Sequence, residues 1–313
     1  MIIMKDKNVV FMGTPDIAIP ILEMLINCTN VIMVVTKPDA YVGRKKELVY
    51  SPVKEVALRN NIPVFTPQNI RKEYQELLDL DIDLIVTCAY GGIIPKAVLD
   101  IPKYGCVNVH ASLLPKYRGS SPIQWALFNG DDKTGVTIMY MDEGMDTGNI
   151  IKEAEIPILP NDNVGTLHDK LGILGRDTLK ELLPDLLNGI VNSIKQDDSK
   201  ATYTHFIKRE DERLDFNDKG INIINKIRGL NPWPLANIMI KEKEIKVIDA
   251  TYLQKDTKNS GIITEISKDT LGITCSDGII YLKTIKPAGK SIIPIKAYLN
   301  GIKREEYLNE RVN

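Results

Sequence analysis

Residues 105–126 read GCVNVHASLLPKYRGSSPIQWA, and both fold class and chemistry are legible outward from them. Cys106-Val107-Asn108-Val109 is a short apolar run that predicts a strand. Side chains alternate across an extended backbone, so Asn108 and His110, two residues apart, project from the same side. Ser112-Leu113-Leu114-Pro115-Lys116-Tyr117-Arg118-Gly119 follows as a turn-rich connection. A helix is then expected, with Ser121 as N-cap, Pro122 at the first helical position and Gln124 placed to close a capping box. A strand that delivers an amide and an imidazole into a rigid loop and a capped helix has the layout of a reaction centre.

The flanking sequence predicts the sheet that would carry such a strand. Asn8–Met12 reads as a buried strand, followed by Gly13-Thr14-Pro15, a helix over 16–27 and a second apolar strand over Val31–Thr36. Strand–helix–strand order implies a parallel α/β sheet. The first turn has a single glycine and lacks GxGxxG, which argues against dinucleotide binding. Further along, Ser51-Pro52 opens a helix to about Asn60, Pro63–Phe65 is a short strand, 69–79 is helical and Asp83–Cys88 is another buried strand ending at Ala89-Tyr90-Gly91-Gly92. A short helix near 95–100 precedes the central stretch. Open α/β sheets bind ligands at the carboxyl ends of strands, where Thr36, Tyr90, His110 and the coming acidic loop are expected to fall.

That loop is Met141-Asp142-Glu143-Gly144-Met145-Asp146-Thr147-Gly148, between strands predicted at Gly135–Met141 and Asn149–Ile156. By composition it is either an ordinary turn with solvated carboxylates or a turn that aims one acid. A long helix over 163–188 follows, and His168 reads as one of its packed or exposed residues. Residues 36–54, TKPDAYVGRKKELVYSPVK, are too long for an ordinary βα connection. Arg44, Lys45 and Lys46 there are either solvated charges on a surface insertion or a basic arm for a polyanion.

From about 190 to 215 the chain is polar, mixed in charge and aperiodic, the signature of a linker, and it contains His205. A helix over 218–229 then runs into Gly229-Leu230-Asn231-Pro232-Trp233-Pro234. Short strands at 245–249, 261–266, 271–275 and 278–285, with a turn at Ser276-Asp277-Gly278, have the cadence of a small β-barrel. The expected division is 1–189, a linker at 190–208, and 209–313.

Bulk properties agree with a two-domain globular protein of 313 residues, 43% hydrophobic and 26% charged. A net charge of −1 gives no global attraction to nucleic acid or membrane. Lys283–Arg304 nevertheless holds six basic and no acidic residues, either a solvated face or a phosphate-contacting surface. No segment has the apolar length of a membrane span or a signal-peptide core, so a cytoplasmic protein is expected. The four cysteines show no metal-binding spacing and read as reduced core residues. With three histidines in the chain, no metal centre is expected.

Asn108-x-His110, Ser112-Leu113-Leu114-Pro115, Tyr117-Arg118-Gly119 and the Asp146-Thr147-Gly148 turn together resemble the central motif of the folate-dependent formyltransferases. Phe11-Met12-Gly13-Thr14-Pro15, the GRKK loop with Ser51-Pro52-Val53-Lys54, the stretch Tyr203–Phe216 and Arg228–Pro234 extend the resemblance, over essentially the whole chain, to the methionyl-tRNA formyltransferases. The resemblance implies a Rossmann-like parallel-sheet catalytic domain at 1–189 and a small β-barrel (OB-like) tRNA-binding domain at 209–313. It implies 10-formyltetrahydrofolate as formyl donor, the α-amine of methionyl initiator tRNA as acceptor, and a monomer.

On that resemblance Asn108, His110 and Asp146 are the catalytic residues. The Asn108 amide and a His110 N–H would hold the developing oxyanion, while Asp146 orients or charges His110 and relays protons through water. Ser112, Leu113, Leu114 and Pro115, with Tyr90, would line the folate site, although Leu-Leu-Pro could equally pack the loop. Arg44, Lys45 and Lys46 would grip the tRNA acceptor end. The trio alone is also compatible with an amino sugar nucleotide or another small amine as acceptor, or with water. A noncatalytic RNA-binding protein would leave the trio without a purpose.

Overall fold

The computed structural model describes residues 3–42 and 47–313. In chain order they form β1 (Met4–Gly13), α1 (Ile19–Cys28), β2 (Thr29–Val35), β3 (Ala40–Val42), β4 (Glu47–Val49), α2 (Pro52–Arg59), β5 (Val64–Phe65), α3 (Gln75–Leu78) and β6 (Leu84–Cys88). Then come α4 (Lys96–Leu99), β7 (Cys106–His110), β8 (Arg118–Gly119), α5 (Pro122–Phe128), β9 (Lys133–Tyr140), β10 (Ile150–Pro157), α6 (Val164–Asn188) and β11 (Tyr203–Thr204). The remainder is α7 (Gly220–Leu230), β12 (Ala236–Ile240), β13 (Lys243–Gln254), β14 (Ile263–Ile266), β15 (Leu271–Cys275), β16 (Gly278–Pro287), β17 (Ile293–Pro294) and α8 (Ile295–Leu299). Two compact units result: Met1–Pro122 with Lys133–Pro157 and His168–Thr204, and Ile123–Asp132 with Ile158–Leu167 and His205–Asn313.

The first unit is an α/β sheet in the order β10-β9-β7-β6-β1-β2-β5. Its strands β7, β6, β1, β2 and β5 are parallel, whereas β9 and β10 run antiparallel to their neighbours. Val9, Val10, Phe11 and Met12 of β1 are fully buried on both faces, which is why that strand is continuously apolar rather than alternating. Strand order reverses between β1 and β6. The crevice at such a switch point is lined here by the turns that follow Gly13 and Cys88. The α2 start is as expected: Ser51 is extended and its hydroxyl accepts the Lys54 N–H at 3.1 Å, with Pro52 next.

Four local expectations are revised. The helix expected over 69–79 survives only as α3, because Asn69 closes a tight turn with the N–H groups of Arg71, Lys72 and Glu73, and Glu73 accepts the Gln68 N–H. Residues 36–54 are not irregular throughout: β3 and β4 pair antiparallel, Ala40 opposite Val49 and Val42 opposite Glu47. Ser121 has φ +60° rather than the extended conformation of an N-cap. The acidic loop does not leave the sheet with the other carboxyl ends, since β9 is antiparallel and Tyr140 lies opposite Val107 near the start of β7.

The second unit contains a six-stranded antiparallel sheet, β12-β13-β16-β15-β14 with β17 on β16. The pairing of its long strands β13 and β16 shifts register on both sides of Asp249, as at a β-bulge. Ile223, Ile227 and Leu230 of α7 pack with Ile238, Val247, Ile273 and Ile285 in one apolar core. Arg228 donates to the carbonyls of Asp162 and Leu159, at 2.8 and 3.4 Å, tying the RGLNPWP turn to 158–167. Among the described residues no helix is long and apolar enough to cross a membrane.

Candidate active site

Strand β7 puts Asn108 and His110 on one face, two residues apart. Thr87 stands beside Asn108 on β6, and its hydroxyl donates to Asn108 Oδ1 at 2.8 Å. That bond fixes the amide orientation, so Asn108 Nδ2 faces Asp146 Oδ1 at 3.5 Å. His110 is buried, with Nε2 3.0 Å from the Tyr117 carbonyl oxygen. A carbonyl only accepts, so Nε2 carries a proton. In the neutral imidazole the lone pair is then on Nδ1, which lies 3.7 Å from Asp146 Oδ2. The expectation of a His110 N–H donor toward the reacting oxygen is narrowed accordingly: Nδ1 donates only when the ring is protonated.

Asp146 reaches this position because its loop doubles back. Tyr140 N–H to Asn149 O, at 2.9 Å, closes the base of the loop, and Thr147 donates to Asp142 at 2.7 Å within it. Asp146 has φ +55°, a conformation uncommon for a non-glycine residue. Its Oδ2 accepts the Gly119 N–H at 2.8 Å. Gly119 has φ +104°, and a Cβ there would meet the Thr204 carbonyl oxygen at 2.4 Å, so only glycine brings this N–H to the carboxylate. Beside it Arg118 is 1% exposed, its Nε and Nη2 donating to Gln196 Oε1 at 3.0 and 2.8 Å and Nη2 also pairing with Asp198 at 2.7 Å.

The Ser112–Pro115 turn is held by Thr137, which lies opposite His110 on β9. Its hydroxyl donates to Ser112 O at 2.7 Å and accepts from Leu114 N at 3.0 Å. Ser112 is buried and donates to Lys116 O at 2.7 Å. Leu114 is buried and Leu113 and Pro115 are partly buried; a Cβ on Gly135 would come within 2.6 Å of Leu113 Cδ2, so Leu113 rests on β9. Tyr90 belongs to the apolar cluster of Met12, Val35 and Ile85. Burial pushes its phenol up to about 12, and does the same to the Cys88 and Cys106 thiols, so neither cysteine is a thiolate near neutral pH. Arg44, Lys45 and Lys46 lie outside the described residues.

The structure therefore brings Asn108, His110 and Asp146 together, with the Ser112–Pro115 turn joined to them through Thr137. Sequence reading missed Thr87, Thr137 and Gln196, and the backbone groups of Tyr117 and Gly119. A threonine inside the apolar run DLIVTC was a usable signal, because a buried hydroxyl needs a partner. Gln196, in a polar stretch, carried none.

The trio sets an amide donor, an imidazole and a carboxylate side by side. The formyl transferase family model matches residues 7–183, and the model of the formyl transferase C-terminal domain matches 206–303. The methionyl-tRNA formyltransferase of Staphylococcus epidermidis is 48% identical over 299 residues, covering 95% of this chain and 96% of that protein. That of Staphylococcus aureus is 46% identical over 298 residues, covering 94% and 96%. Among solved structures, an N-formyltransferase from Helicobacter canadensis in complex with folinic acid and dTDP-3-aminofucose superposes with TM-score 0.65 at 23% identity, covering 90% of this chain and 99% of that one. HypX from Aquifex aeolicus in complex with tetrahydrofolic acid gives TM-score 0.60 at 15% identity, covering 94% and 46%. These two likenesses concern the fold, whereas the full-length identities and both family models establish that the chain belongs to the methionyl-tRNA formyltransferase family.

Proposed function

We propose that this chain transfers the formyl group of 10-formyltetrahydrofolate to the α-amino group of methionyl initiator tRNA, the step that prepares the tRNA for translation initiation. One observation carries the mechanism: Asn108 Nδ2 lies 3.5 Å from one oxygen of the Asp146 carboxylate and His110 Nδ1 lies 3.7 Å from the other. The folate supplies an activated formyl carbon. What remains for the protein is to stabilise negative charge on one oxygen and to move one proton off the attacking nitrogen and one onto the departing folate nitrogen.

The residues are matched to those tasks. Asn108 Nδ2, with its Oδ1 held by Thr87, is a donor already oriented before charge develops on the formyl oxygen. His110 Nδ1 accepts the proton of the attacking amine, since its Nε2–H is committed to Tyr117 O. Asp146 then faces an imidazolium at Nδ1, and a carboxylate beside it stabilises that charge until the proton passes on, directly or through water. Ser112–Pro115 form a folate-facing wall, and Tyr90 lines the same site. Arg44, Lys45 and Lys46 contact the acceptor end of the tRNA, with the C-terminal domain, 209–313, on its phosphate backbone. Residues 1–189 form the catalytic domain, 190–208 the linker, and the site of action is the cytoplasm.

An amino sugar nucleotide is the second acceptor the trio would serve. The relatives of 46–48% identity favour the tRNA reading over it. The test is to supply 10-formyltetrahydrofolate with charged initiator tRNA, with a dTDP-amino sugar, or with no acceptor, and to follow the formyl group. The expected product is formyl-methionyl-tRNA. Formyl transfer to the sugar amine, or release as formate at a comparable rate, overturns the proposal.

A further inference from the structure

Gln196 is 5% exposed, and both functional atoms of its side chain are used across two loops. Its Oε1 accepts from Arg118 Nε and Nη2, at 3.0 and 2.8 Å, while its Nε2 donates to Asp146 O and to Gly148 O, both at 2.8 Å. The segment that carries it is anchored on both sides. Upstream, Ile194 exchanges two backbone hydrogen bonds of 2.8 Å with Ile150, where the acidic loop re-enters the sheet. Downstream, Thr202 accepts at its carbonyl from Arg118 N at 2.8 Å and at its hydroxyl from Tyr117 N at 2.8 Å, and Thr204 O accepts from Ser120 N at 3.3 Å. Residues 194–204 thus span from the Asp146 loop to the 117–120 loop, which supplies both the His110 acceptor and the Gly119 N–H.

We infer that Gln196 is a positioning residue for Asp146, and that residues 194–204 are a strap setting the distance between the aspartate loop and the Arg118-Gly119 loop. The inference rests on the reading of Asp146 as catalytic. A buried amide with a guanidinium on one side and two carbonyls on the other admits one orientation, so the strap imposes a fixed geometry. It holds the backbone of Asp146 in its left-handed conformation from the carbonyl side, while Gly119 holds the carboxylate. With both contacts in place, Asp146 Oδ2 is directed at His110 Nδ1.

The test is Gln196→Glu, which retains an acceptor for Arg118 but sets a carboxylate oxygen against the Asp146 and Gly148 carbonyls, with Gln196→Met as a neutral variant of similar length. A displacement on the order of 1 Å at a reacting group costs roughly 10²-fold in rate. The expected result for both is therefore a kcat reduced about 10–100-fold with KM for folate and tRNA changed no more than about 3-fold. Melting temperature is read alongside, and Gln196→Glu, which keeps the Arg118 pairing, is the arm used if Gln196→Met unfolds. The decisive reading is the double variant: on an Asp146→Asn background, Gln196→Glu is expected to cost nothing further, because its effect passes through Asp146. A wild-type kcat for Gln196→Glu, or the same fold loss on both backgrounds, overturns the inference. If Asp146→Asn alone keeps wild-type activity, it is the catalytic reading of Asp146 that fails.

Discussion

Replacing Asn108 by alanine isolates one element of the site. The change removes the Nδ2 donor directed toward Asp146 and the Oδ1 acceptor of the Thr87 hydroxyl. The folding consequence is small. Thr87 keeps the Val107 carbonyl at 3.3 Å as a second acceptor, and Asp146 keeps the Gly119 N–H at 2.8 Å, so no buried partner is orphaned. The loss is about one net hydrogen bond, on the order of 1 kcal/mol, which is a drop of a few degrees in Tm for a protein of this size. The catalytic consequence is far larger. Removing one preorganised donor from a developing oxyanion costs about 10²–10³ in kcat, or roughly 2.7–4 kcal/mol of barrier. Single-turnover formyl transfer with saturating folate and methionyl-tRNA measures it, with binding of both substrates checked independently. A folded Asn108→Ala variant that retains kcat within about 3-fold of wild type, where about 10²–10³ is predicted, would refute the oxyanion role.

Three further outcomes follow from the geometry. Gly119→Ala forces a Cβ to 2.4 Å from Thr204 O at φ +104°, so it should lose at least about 1–3 kcal/mol to backbone strain and reduce turnover through the displaced Asp146 contact; an unchanged melting curve would show that the loop relaxes freely. Nitrogen NMR of neutral His110 should report the Nε2–H tautomer, and the Nδ1–H tautomer would contradict the assignment of Nδ1 as proton acceptor. Reversing charge at Arg44 and Lys45 should weaken tRNA use, steeply with added salt as phosphate contacts are, and leave folate binding intact; loss of folate binding would count against a tRNA-gripping arm.

Much of the architecture is visible in the sequence because burial writes it there. Val9–Met12 and Leu84–Val86 are continuously apolar since both faces of those strands are covered, and Ser51-Pro52 spells a helix start through its capping chemistry. Asn108 and His110 could be paired from the alternation of an extended strand. The antiparallel direction of β9 was not legible, because the sequence between β7 and β9 does not specify on which side of the sheet the chain returns. Consequently the way Asp146 reaches the other two is a tertiary fact. Gln196 was hidden for a related reason: KQDDSK has the polarity of a linker, and the buried Arg118 guanidinium, 78 residues away, with the Asp146 and Gly148 carbonyls, makes its single amide part of the site. The helix over 69–79 failed where Asn69 and Glu73 capture nearby N–H groups that a helix would need.

The most direct measurement of the central claim is single-turnover formylation of methionyl-tRNA by His110→Ala and Asp146→Asn, each shown to fold and to bind folate as wild type does. Both variants are expected to lose at least about 10²-fold, the usual scale of a general acid–base contribution, with formyl-methionyl-tRNA still the product of what activity remains. Near-wild-type rates for either variant would contradict the assignment of proton transfer to His110 Nδ1 and its facing carboxylate.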